Sequence, residues 1–308
     1  MSAPDPDALR ARGAVLHALR STLHDWGYLE IPTPVLVPSP AMEATLNALP
    51  CADGFLRTSP EFALKRVLAS GLPRIYELGP CVRADEDGDW HGREFQMLEW
   101  YRAGASLSDL MDEVQALVAA AARSLDVPAP TAWRRTTVAE LLRQHTGLDL
   151  FTASSPELSP RDPHDWDTAF FRRWIEDVEP HIQGPTFVSD WPASQAALAR
   201  VRATPRGPVA CRFEAFLGGV ELANAFDELT DAEAQRRRFA SSATHRRAEG
   251  LAPHPVDEAF VQAVGHLPRA AGIALGVDRL VALLCGWPQI HRGRVEVWPS
   301  AAAPNRPS

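Results

Sequence analysis

Two predicted β-hairpins and two long amphipathic helices place the sequence in the α+β class. The first hairpin lies within residues 75–102, where two apolar runs flank a long polar loop. The second lies within residues 212–224 and turns at a pair of glycines. Apolar side chains recur at helical spacing over residues 8–26 and again from 103 to about 126. We therefore expect antiparallel strands flanked by helices.

The composition is that of an ordinary soluble protein, with 45% hydrophobic and 23% charged residues among 308. No apolar run reaches the roughly 20 residues of a membrane span, and the N-terminus has no apolar signal-peptide core. The four cysteines are scattered without a C-x-x-C pair, which favours reduced thiols over a disulfide or a zinc site. We expect a cytoplasmic protein that does not bind a membrane.

The formal net charge of −8 bears on the choice of partner. Nucleic-acid-binding proteins present basic surfaces to the phosphate backbone, so an acidic chain suits a basic protein partner better than tRNA. The main basic segments, residues 236–238 and 245–247, share a helix-like stretch with several acidic residues. We interpret this stretch as a solvated helix face.

The first helix is expected to end at Gly27, because glycine commonly terminates helices. Residues 28–39 follow as an extended segment interrupted by prolines. A second helix is predicted within residues 58–66, with Ser59 as its cap and Pro60 at its first helical position. These assignments are structural and imply no chemistry by themselves.

The polar loop of the first hairpin contains two arginines suited to phosphate binding. Arg83 follows the first strand and Arg93 precedes the second, and each offers a planar set of donors. Alternatively, both arginines pair with the carboxylates of the loop. A loop this long and charged on a rigid hairpin is typical of a functional site.

Residues 127–185 carry little functional signal. They are expected to contain a helix near 136–145, a loop rich in serine and proline at 152–163, and an aromatic helix near 165–178. We interpret this segment as an insertion rather than a separate domain.

Residues 272–286 predict a glycine-punctuated strand that enters an apolar helix. Asp278 and Arg279 lie at the start of that helix. Glycine allows close approach of backbone or ligand, and an arginine near a helix N-terminus adds to an anion site. The alternative is a buried strand–helix corner.

Five blocks in this order carry a resemblance to a known family: TSPEFALKR (58–66), EFQMLEWYR (94–102), WPASQAALA (191–199), RFEAFLGGVELANAFDELTD (212–231) and GIALGVDRL (272–280). The chain resembles the catalytic domain of class II aminoacyl-tRNA synthetases, in the lysyl-tRNA synthetase branch. Within that branch it is similar to the elongation factor P–(R)-β-lysine ligases, free-standing paralogues that modify a translation factor.

The resemblance assigns motif 1 to about residues 28–45, motif 2 to about 75–102 and motif 3 to about 272–286. It implies one catalytic domain over residues 1–308, built on an antiparallel β-sheet flanked by helices. The likeness starts at the catalytic domain, so no anticodon-binding domain is expected. Motif 1 builds the dimer interface in class II enzymes, which implies a homodimer.

The resemblance also implies an ATP site. Arg83 corresponds to the motif 2 arginine that binds the α-phosphate, and Arg279 is expected toward the γ-phosphate; both are the implied catalytic residues. Two positions depart from the family pattern, because Asp85 replaces a glutamate and Gly92 replaces an asparagine. Either Asp85 reaches the adenine differently or Glu86 takes its place. The full implied set is Arg83, Ala84, Asp85, Gly92, Glu221, Leu222, Gly276 and Arg279.

The amino-acid site is implied in the same way. Glu228 is assigned to the side-chain amine of a lysine-type substrate and Asn224 to its carboxylate. Ala274 occupies a place where lysyl-tRNA synthetases have glycine, and the added methyl favours a β-amino acid modestly. The full implied set is Ser59, Pro60, Glu61, Tyr101, Asn224, Glu228 and Ala274. Residues 190–195 are expected at a strand edge that enters this pocket.

Glu214 and Glu221 are predicted to face each other across the second hairpin. Like charges in that position are unfavourable unless a cation neutralises them. Mg²⁺ bound together with ATP phosphates would do so, since it takes one or two carboxylates plus phosphate oxygens. The alternative is a pair of solvent-facing glutamates.

We thus expect an ATP-dependent, AMP-forming ligase that activates (R)-β-lysine as an adenylate and transfers it to a lysine of elongation factor P. Two alternatives stay open. One is a minimal lysyl-tRNA synthetase-like enzyme that activates L-lysine for another acceptor. The other is a non-catalytic paralogue that binds amino acids. The missing anticodon domain and Ala274 argue against tRNA as the acceptor.

Overall fold

The computed structural model describes residues 5–41 and 46–295. Its helices are α1 (Pro6–Asp25), α2 (Glu61–Ala69), α3 (Leu107–Ser124), α4 (Val138–Thr146), α5 (Ser155–Leu158), α6 (Trp166–Arg173), α7 (Ala232–Ala248), α8 (Glu258–Val264) and α9 (Val277–Leu284). Its strands are β1 (Leu29–Glu30), β2 (Leu36–Val37), β3 (Pro50–Cys51), β4 (Gly54–Leu56), β5 (Arg74–Val82), β6 (Glu94–Ala103), β7 (Arg134–Thr137), β8 (Thr186–Pro192), β9 (Val201–Thr204), β10 (Gly207–Leu217), β11 (Val220–Asp227) and β12 (Ala270–Gly276). A π-helical turn at Trp174–Val178 and 3₁₀ turns at Glu179–His181, Ala193–Gln195 and Ile290–Gly293 complete the described elements.

One large sheet organises the molecule. Its strand order is β1-β5-β6-β12-β11-β10-β8-β7, and β9 pairs with β10. The edge pairs β1–β5 and β7–β8 are parallel, whereas the central pairs are antiparallel. Strands β2, β4 and β3 form a separate small sheet. The α+β class, with a mostly antiparallel sheet flanked by helices, is confirmed.

The two faces of this sheet differ in chemistry because successive side chains of a strand point to opposite sides. On β6, Leu98 and Trp100 are fully buried and pack in the same core cluster as the apolar stripes of α1 and α3. Glu99 and Tyr101 alternate with them and line a cavity. Helices α1 and α3 therefore cover one face of the sheet, and the cavity lies on the opposite face.

The start of α2 corrects the predicted cap by one residue. The first intrahelical bond runs from the Leu64 N–H to the Pro60 carbonyl at 3.0 Å, so Pro60 is the cap residue and Glu61 is the first helical residue. Ser59 still accepts a hydrogen bond from the Glu61 N–H at 3.0 Å through its hydroxyl. The predicted end of α1 is confirmed, since Gly27 has a φ of +76°.

The segment 127–185 contains both predicted helices, α4 and α6, and a short helix, α5, inside the predicted loop. It also contributes β7, which the sequence reading missed because Arg-Arg-Thr-Thr shows no apolar alternation. Strand β7 pairs in parallel with β8 at the edge of the large sheet. Phe170 and Trp174 of the segment pack with Trp191 of β8 in one apolar cluster.

The basic helix α7 is only partly the solvated face that its sequence predicts. Arg236 is exposed and pairs with Glu258 at 2.8 Å. Arg238, in contrast, donates to the carbonyls of Ala197 and Ala199, and Arg246 is buried. These two arginines cap backbone carbonyls, which explains why they are drawn inward.

The cysteines agree with the expectation drawn from their spacing. All four cysteines are free thiols, as predicted. Within residues 5–41 and 46–295, we find no helix with both the length and the apolar character needed to cross a membrane.

Candidate active site

A cavity of about 310 Å³ lies on the polar face of the sheet. Strands β6, β11 and β12 form its floor, and the starts of α2 and α9 and the loop between β5 and β6 form its walls. Twelve of the implied site residues line it: Ser59, Glu61, Arg83, Gly92, Tyr101, Glu214, Glu221, Leu222, Asn224, Ala274, Gly276 and Arg279. Pro60, Ala84, Asp85 and Glu228 do not line it.

The strand register sets four polar-face residues in one row across the floor. Glu99 on β6 pairs with Ala274 on β12, Ala274 pairs with Asn224 on β11, and Asn224 pairs with Glu214 on β10. Residues directly opposite on neighbouring strands have Cβ atoms about 5 Å apart. Ala274 is thus the small residue between two polar neighbours, so its methyl group limits the space there.

The prediction that Glu214 and Glu221 face each other is wrong. The turn at Gly218 and Gly219 pairs Leu217 with Val220 and therefore Phe216 with Glu221. A β-bulge then shifts the register between Ala215 and Phe216, so that Glu214 pairs with Asn224. The hairpin itself is confirmed, with a two-residue turn of two positive-φ glycines. Both glutamates still line the cavity.

Burial, and next the charge of Glu221, holds the pKa of the Glu214 carboxyl well above its ordinary value. Arg212 opposes this shift and donates to Glu214 Oε1 at 2.5 Å. The Arg212 guanidinium lies 4.7 Å from the ring centroid of Trp191. Trp191 is buried, and residues 190–195 do not line the cavity. The expectation that they enter the pocket is therefore wrong; Trp191 supports Arg212 instead.

The residues around Glu214 and Glu221 fit a magnesium ion shared with phosphates. In the described part of the chain, no group of three or more histidine, cysteine or acidic side chains could hold a metal alone. Mg²⁺ needs only one or two carboxylates when phosphate oxygens complete its shell. Two cavity-lining glutamates, one of them with a raised pKa that a cation would reverse, satisfy that requirement.

At the phosphate end, both expected arginines reach the cavity. Arg83 lies 2.9 Å from Glu86 and stacks 5.1 Å from the Phe95 ring centroid. Of the two loop arginines, Arg83 both lines the cavity and pairs with a loop carboxylate, whereas Arg93 does not line the cavity. Asp85 instead accepts from Asn47 at 2.6 Å, so Glu86 is the acidic residue of this loop that lines the site.

Arg279 holds the loop between β5 and β6 against β11. It donates to the Trp90 carbonyl at 3.0 Å and to the Glu221 carbonyl at 2.7 Å. Its Nη2 lies 2.7 Å from His91 Nε2. Burial, and next Arg279 itself, lowers the pKa of His91, so the ring is neutral and accepts this bond.

A buried cluster of charged residues lies at the opposite end of the cavity, and only some of its members were predicted from the sequence. Lys65 Nζ donates to Glu61 Oε1 at 2.6 Å and lies 2.5 Å from Glu228 Oε2. All three side chains are buried, and Glu99 lies close enough to Glu61 for their charges to interact. Three carboxyl groups and one ammonium leave the cluster short of positive charge.

Protonation compensates for this shortage. Burial raises the pKa of Glu228 to about 8 and is the main cause of a similar rise for Glu99. Burial alone would lower the pKa of Lys65, but Glu228 and Glu61 outweigh it and hold that pKa above its ordinary value. The cluster therefore combines a charged lysine with carboxyls that hold protons until another cation arrives.

Glu99 was not predicted as a site residue, although it lies within a matching block. Its Oε2 accepts from the Ser59 hydroxyl at 2.7 Å, and its Oε1 accepts from the Tyr101 hydroxyl at 2.6 Å. It thus joins two of the implied substrate residues. The sequence offered one signal for Glu99: it alternates with Met97 and Tyr101, which places all three side chains on the same face of β6.

Lys65 was also missed, and the sequence contained a clear signal for it. The chain has one lysine and 30 arginines. A buried lysine differs from arginine because it presents a compact point charge to several acceptors. The presence of the only lysine at position 65 therefore indicates that this position requires a compact positive charge.

Glu228 lies close to Gly272, which lines the cavity. A Cβ atom on Gly272 would lie 2.2 Å from the Tyr101 ring and 2.4 Å from Glu228 Oε1. The absence of a side chain lets Tyr101 and Glu228 meet over β12. Glu228 Oε1 and Asn224 Oδ1 are buried without a hydrogen-bond partner among the described residues. Buried polar atoms are normally satisfied, so these two point to a bound polar ligand.

Comparison with known proteins identifies relatives over almost the whole chain. The family model described as tRNA synthetases class II (D, K and N) matches residues 5–300. An elongation factor P–(R)-β-lysine ligase from Yersinia enterocolitica is 38% identical over 92% of this chain and 93% of its own length. Ligases of the same name from Edwardsiella ictaluri and Photorhabdus laumondii are each 38% identical, over 92% and 90% of this chain and 92% and 91% of their own lengths.

Proposed function

The chain belongs to the class II tRNA synthetase family of the D, K and N type, and we propose that it activates (R)-β-lysine with ATP and attaches it to elongation factor P. It is an ATP-dependent ligase. The observation that carries the proposal is the charge layout of the cavity, with arginines at one end and a cation-deficient acid cluster at the other. A diamino acid activated by ATP requires both ends.

The amino-acid end suits a substrate with two ammonium groups. Glu228, Glu99 and Glu61 share one lysine, so two further positive charges would balance them. A lysine isomer supplies these charges on one flexible chain. The substrate carboxylate would then lie near Asn224, and Ala274 beside it narrows the floor in favour of the β-isomer.

The phosphate end suits ATP. Arg83 and Arg279 offer charge-assisted donors to the α- and γ-phosphates. Magnesium would bind at Glu214 and Glu221 and neutralise phosphate charge. Gly276 keeps the entrance to α9 open at the strand end, where only the Arg279 side chain approaches its Cβ position, at 3.3 Å.

The reaction proceeds in two displacements. The substrate carboxylate attacks the α-phosphorus of ATP, forming an aminoacyl-adenylate and releasing pyrophosphate. The arginines stabilise the charge that develops on the phosphoryl oxygens. An ε-amine of elongation factor P then attacks the adenylate carbonyl, forming an amide and releasing AMP. Both steps depend on positioning and electrostatics, and no nucleophile of this chain takes part.

A homodimer accords with the surface around motif 1. Leu29 is 51% exposed and Leu36 48% exposed, and Val35 and Leu49 nearby are also exposed large apolar side chains. Clustered exposed apolar residues mark interaction surfaces. Among the described residues, these exposed apolar side chains support a second copy of this chain as the partner that covers the surface. With a translation factor as the acceptor, the proposed reaction would take place in the cytoplasm.

ATP–pyrophosphate exchange tests the activating half of the proposal. We expect exchange with (R)-β-lysine to exceed exchange with L-α-lysine, and no exchange without an amino acid. Arg279→Ala should abolish it, because the loop held at Trp90 and the phosphate contact are both lost. A preference for L-α-lysine would favour the lysyl-tRNA synthetase-like alternative, and a lack of exchange with either would overturn the proposal.

The pH dependence of amino-acid binding tests the role of Glu228. Its pKa of about 8 means that the empty site holds a proton at neutral pH. An ammonium ligand favours the ionised carboxylate, so binding releases this proton and affinity rises with pH up to about 8. We expect up to about a tenfold gain per pH unit for one proton, since aliphatic ammonium groups stay charged in this range.

Isothermal titration in buffers of different ionisation enthalpy would count the released protons. Glu228→Gln should bind the amino acid weakly and with a smaller pH dependence, because Glu99 still has a pKa of about 8. Proton uptake on binding, or an affinity that falls between pH 6 and 8, would contradict the assignment of Glu228.

A further inference from the structure

The C-terminal part of the described chain docks on the loop between β5 and β6. The Ile290 N–H donates to the Asp89 carbonyl at 2.8 Å, and His291 Nε2 lies 3.0 Å from the Gly88 carbonyl. Three residues further on, Arg294 reaches the same loop at Gly92. Ile290 lines the cavity, and Arg294 lies directly behind two lining residues, Gly92 and Asp278.

Arg294 occupies the space beside Gly92 in which a side chain at position 92 would lie. A Cβ atom built on Gly92 would be 2.7 Å from Arg294 Nη1 and 3.4 Å from its Cζ. Gly92 lines the cavity. The resemblance implies that the family has an asparagine at this position and that its side chain contacts ATP. The guanidinium group thus takes the place of the missing amide.

A buried carboxylate fixes Arg294 in this place. Arg294 Nη2 donates to Asp278 Oδ2 at 3.1 Å, and Asp278 is 3% exposed. Asp278 also accepts the Gln96 N–H at 2.7 Å and pairs with Arg12 of α1. The anchor leaves Nη1, the nitrogen nearest to Gly92, for a ligand, because no other described residue accepts a side-chain bond from Arg294.

We propose that Arg294 is a nucleotide-binding residue that supplies, from the C-terminal segment, the ATP contact that Gly92 lacks. The Arg294–Gly92 pair acts as one unit: glycine makes room for the guanidinium, and the guanidinium provides donors suited to an anionic or acceptor-rich nucleotide. This inference rests on the proposed use of ATP and is independent of which amino acid or acceptor follows.

Direct ATP binding, measured by calorimetry without amino acid, tests the pair. Arg294→Met keeps the apolar stem and removes the donors, so we expect ATP affinity to fall by about tenfold or more, the loss of one charge-assisted hydrogen bond. Gly92→Asn alone should also weaken binding, because the new side chain meets Arg294. The double variant should recover affinity relative to Arg294→Met, since the asparagine then occupies the vacated space.

Arg292→Met is the matched control, because Arg292 lies in the same segment but pairs with Asp5 and is 56% exposed. It should bind ATP as the unmodified protein does. Unchanged ATP affinity in Arg294→Met would overturn the inference. So would equal losses for ATP and amino acid with a lowered unfolding temperature, which indicate a structural role. If the unmodified protein failed to bind ATP, the proposed function would fall as well.

Discussion

Replacing Lys65 with methionine is expected to destabilise the fold by about 3–5 kcal/mol, the usual consequence of removing one partner from a buried ion pair. The variant retains the volume of the side chain but leaves Glu61, Glu99 and Glu228 buried without a cation. Urea unfolding at pH 7.5 would measure the loss as a change in the midpoint at constant slope.

The pH dependence of this loss distinguishes charge from packing. In the variant, the buried carboxyls can relieve their repulsion only by binding protons, so the folded state binds more protons than the unfolded state. Stability then falls as pH rises from about 5 to 8. The double variant Lys65→Met, Glu228→Gln should regain part of the loss, because it removes one of the unpaired charges.

Arg10→Met is the control, since Arg10 pairs with Asp7 on the surface at 76% and 91% side-chain exposure. Its effect should stay within about 0.5 kcal/mol. A loss for Lys65→Met no larger than that of the control would mean that the lysine does not neutralise the cluster.

Gly272→Ala is expected to lower kcat/KM for amino-acid activation by about 100-fold, the scale of a 1 Å misplacement in an active site. The added methyl would overlap the Tyr101 ring and Glu228 Oε1, which are 2.2 and 2.4 Å from its position. Both neighbours are buried and cannot rotate away into solvent. Steady-state exchange kinetics would show a raised KM for the amino acid with little change in the KM for ATP.

Gly13→Ala provides the matched control. Gly13 lies inside α1, and no atom lies within 4 Å of its Cβ position. Alanine there should stabilise the helix slightly and leave the kinetics unchanged. Equal kinetics for Gly272→Ala and the unmodified protein would show that the contact of Tyr101 with Glu228 is not needed for activation.

Much of the fold was predictable because its signals are local. The hairpin β5–β6 follows from two apolar runs around one polar loop, and α1 from a regular stripe that ends at Gly27. The two-residue turn between β10 and β11 follows from its glycine pair. In each case the residues that determine the structure lie next to one another in the sequence.

Other features depend on contacts between distant parts of the chain. The turn at Gly218 and Gly219 alone excludes the predicted facing of Glu214 and Glu221, but the partner of Glu214 also depends on the bulge between Ala215 and Phe216, in a strand that pairs with a neighbour on each side. Strand β7 forms by pairing with β8 at the edge of the sheet, although its own sequence shows no alternation of apolar and polar residues.

The candidate site shows the same division. Arg279 and the carboxylates were found because they lie in matching blocks, and Arg83 because it follows the first strand of the hairpin. The contact of Lys65 with Glu228 and that of Arg294 with Gly92 join residues far apart in sequence, and no spacing rule indicates them. For the contact of Lys65 with Glu228, the only signal in the sequence was that the chain has a single lysine. No local signal indicates the contact of Arg294 with Gly92.

The proposed transfer of β-lysine is tested by measuring the intact mass of elongation factor P after incubation with this protein, ATP and (R)-β-lysine. We expect a mass increase of one β-lysyl group, located by peptide sequencing on a single lysine, and none without ATP. The ligase itself should stay unmodified, because its one lysine is buried and protonated. An unchanged elongation factor P alongside active pyrophosphate exchange would contradict the proposed acceptor.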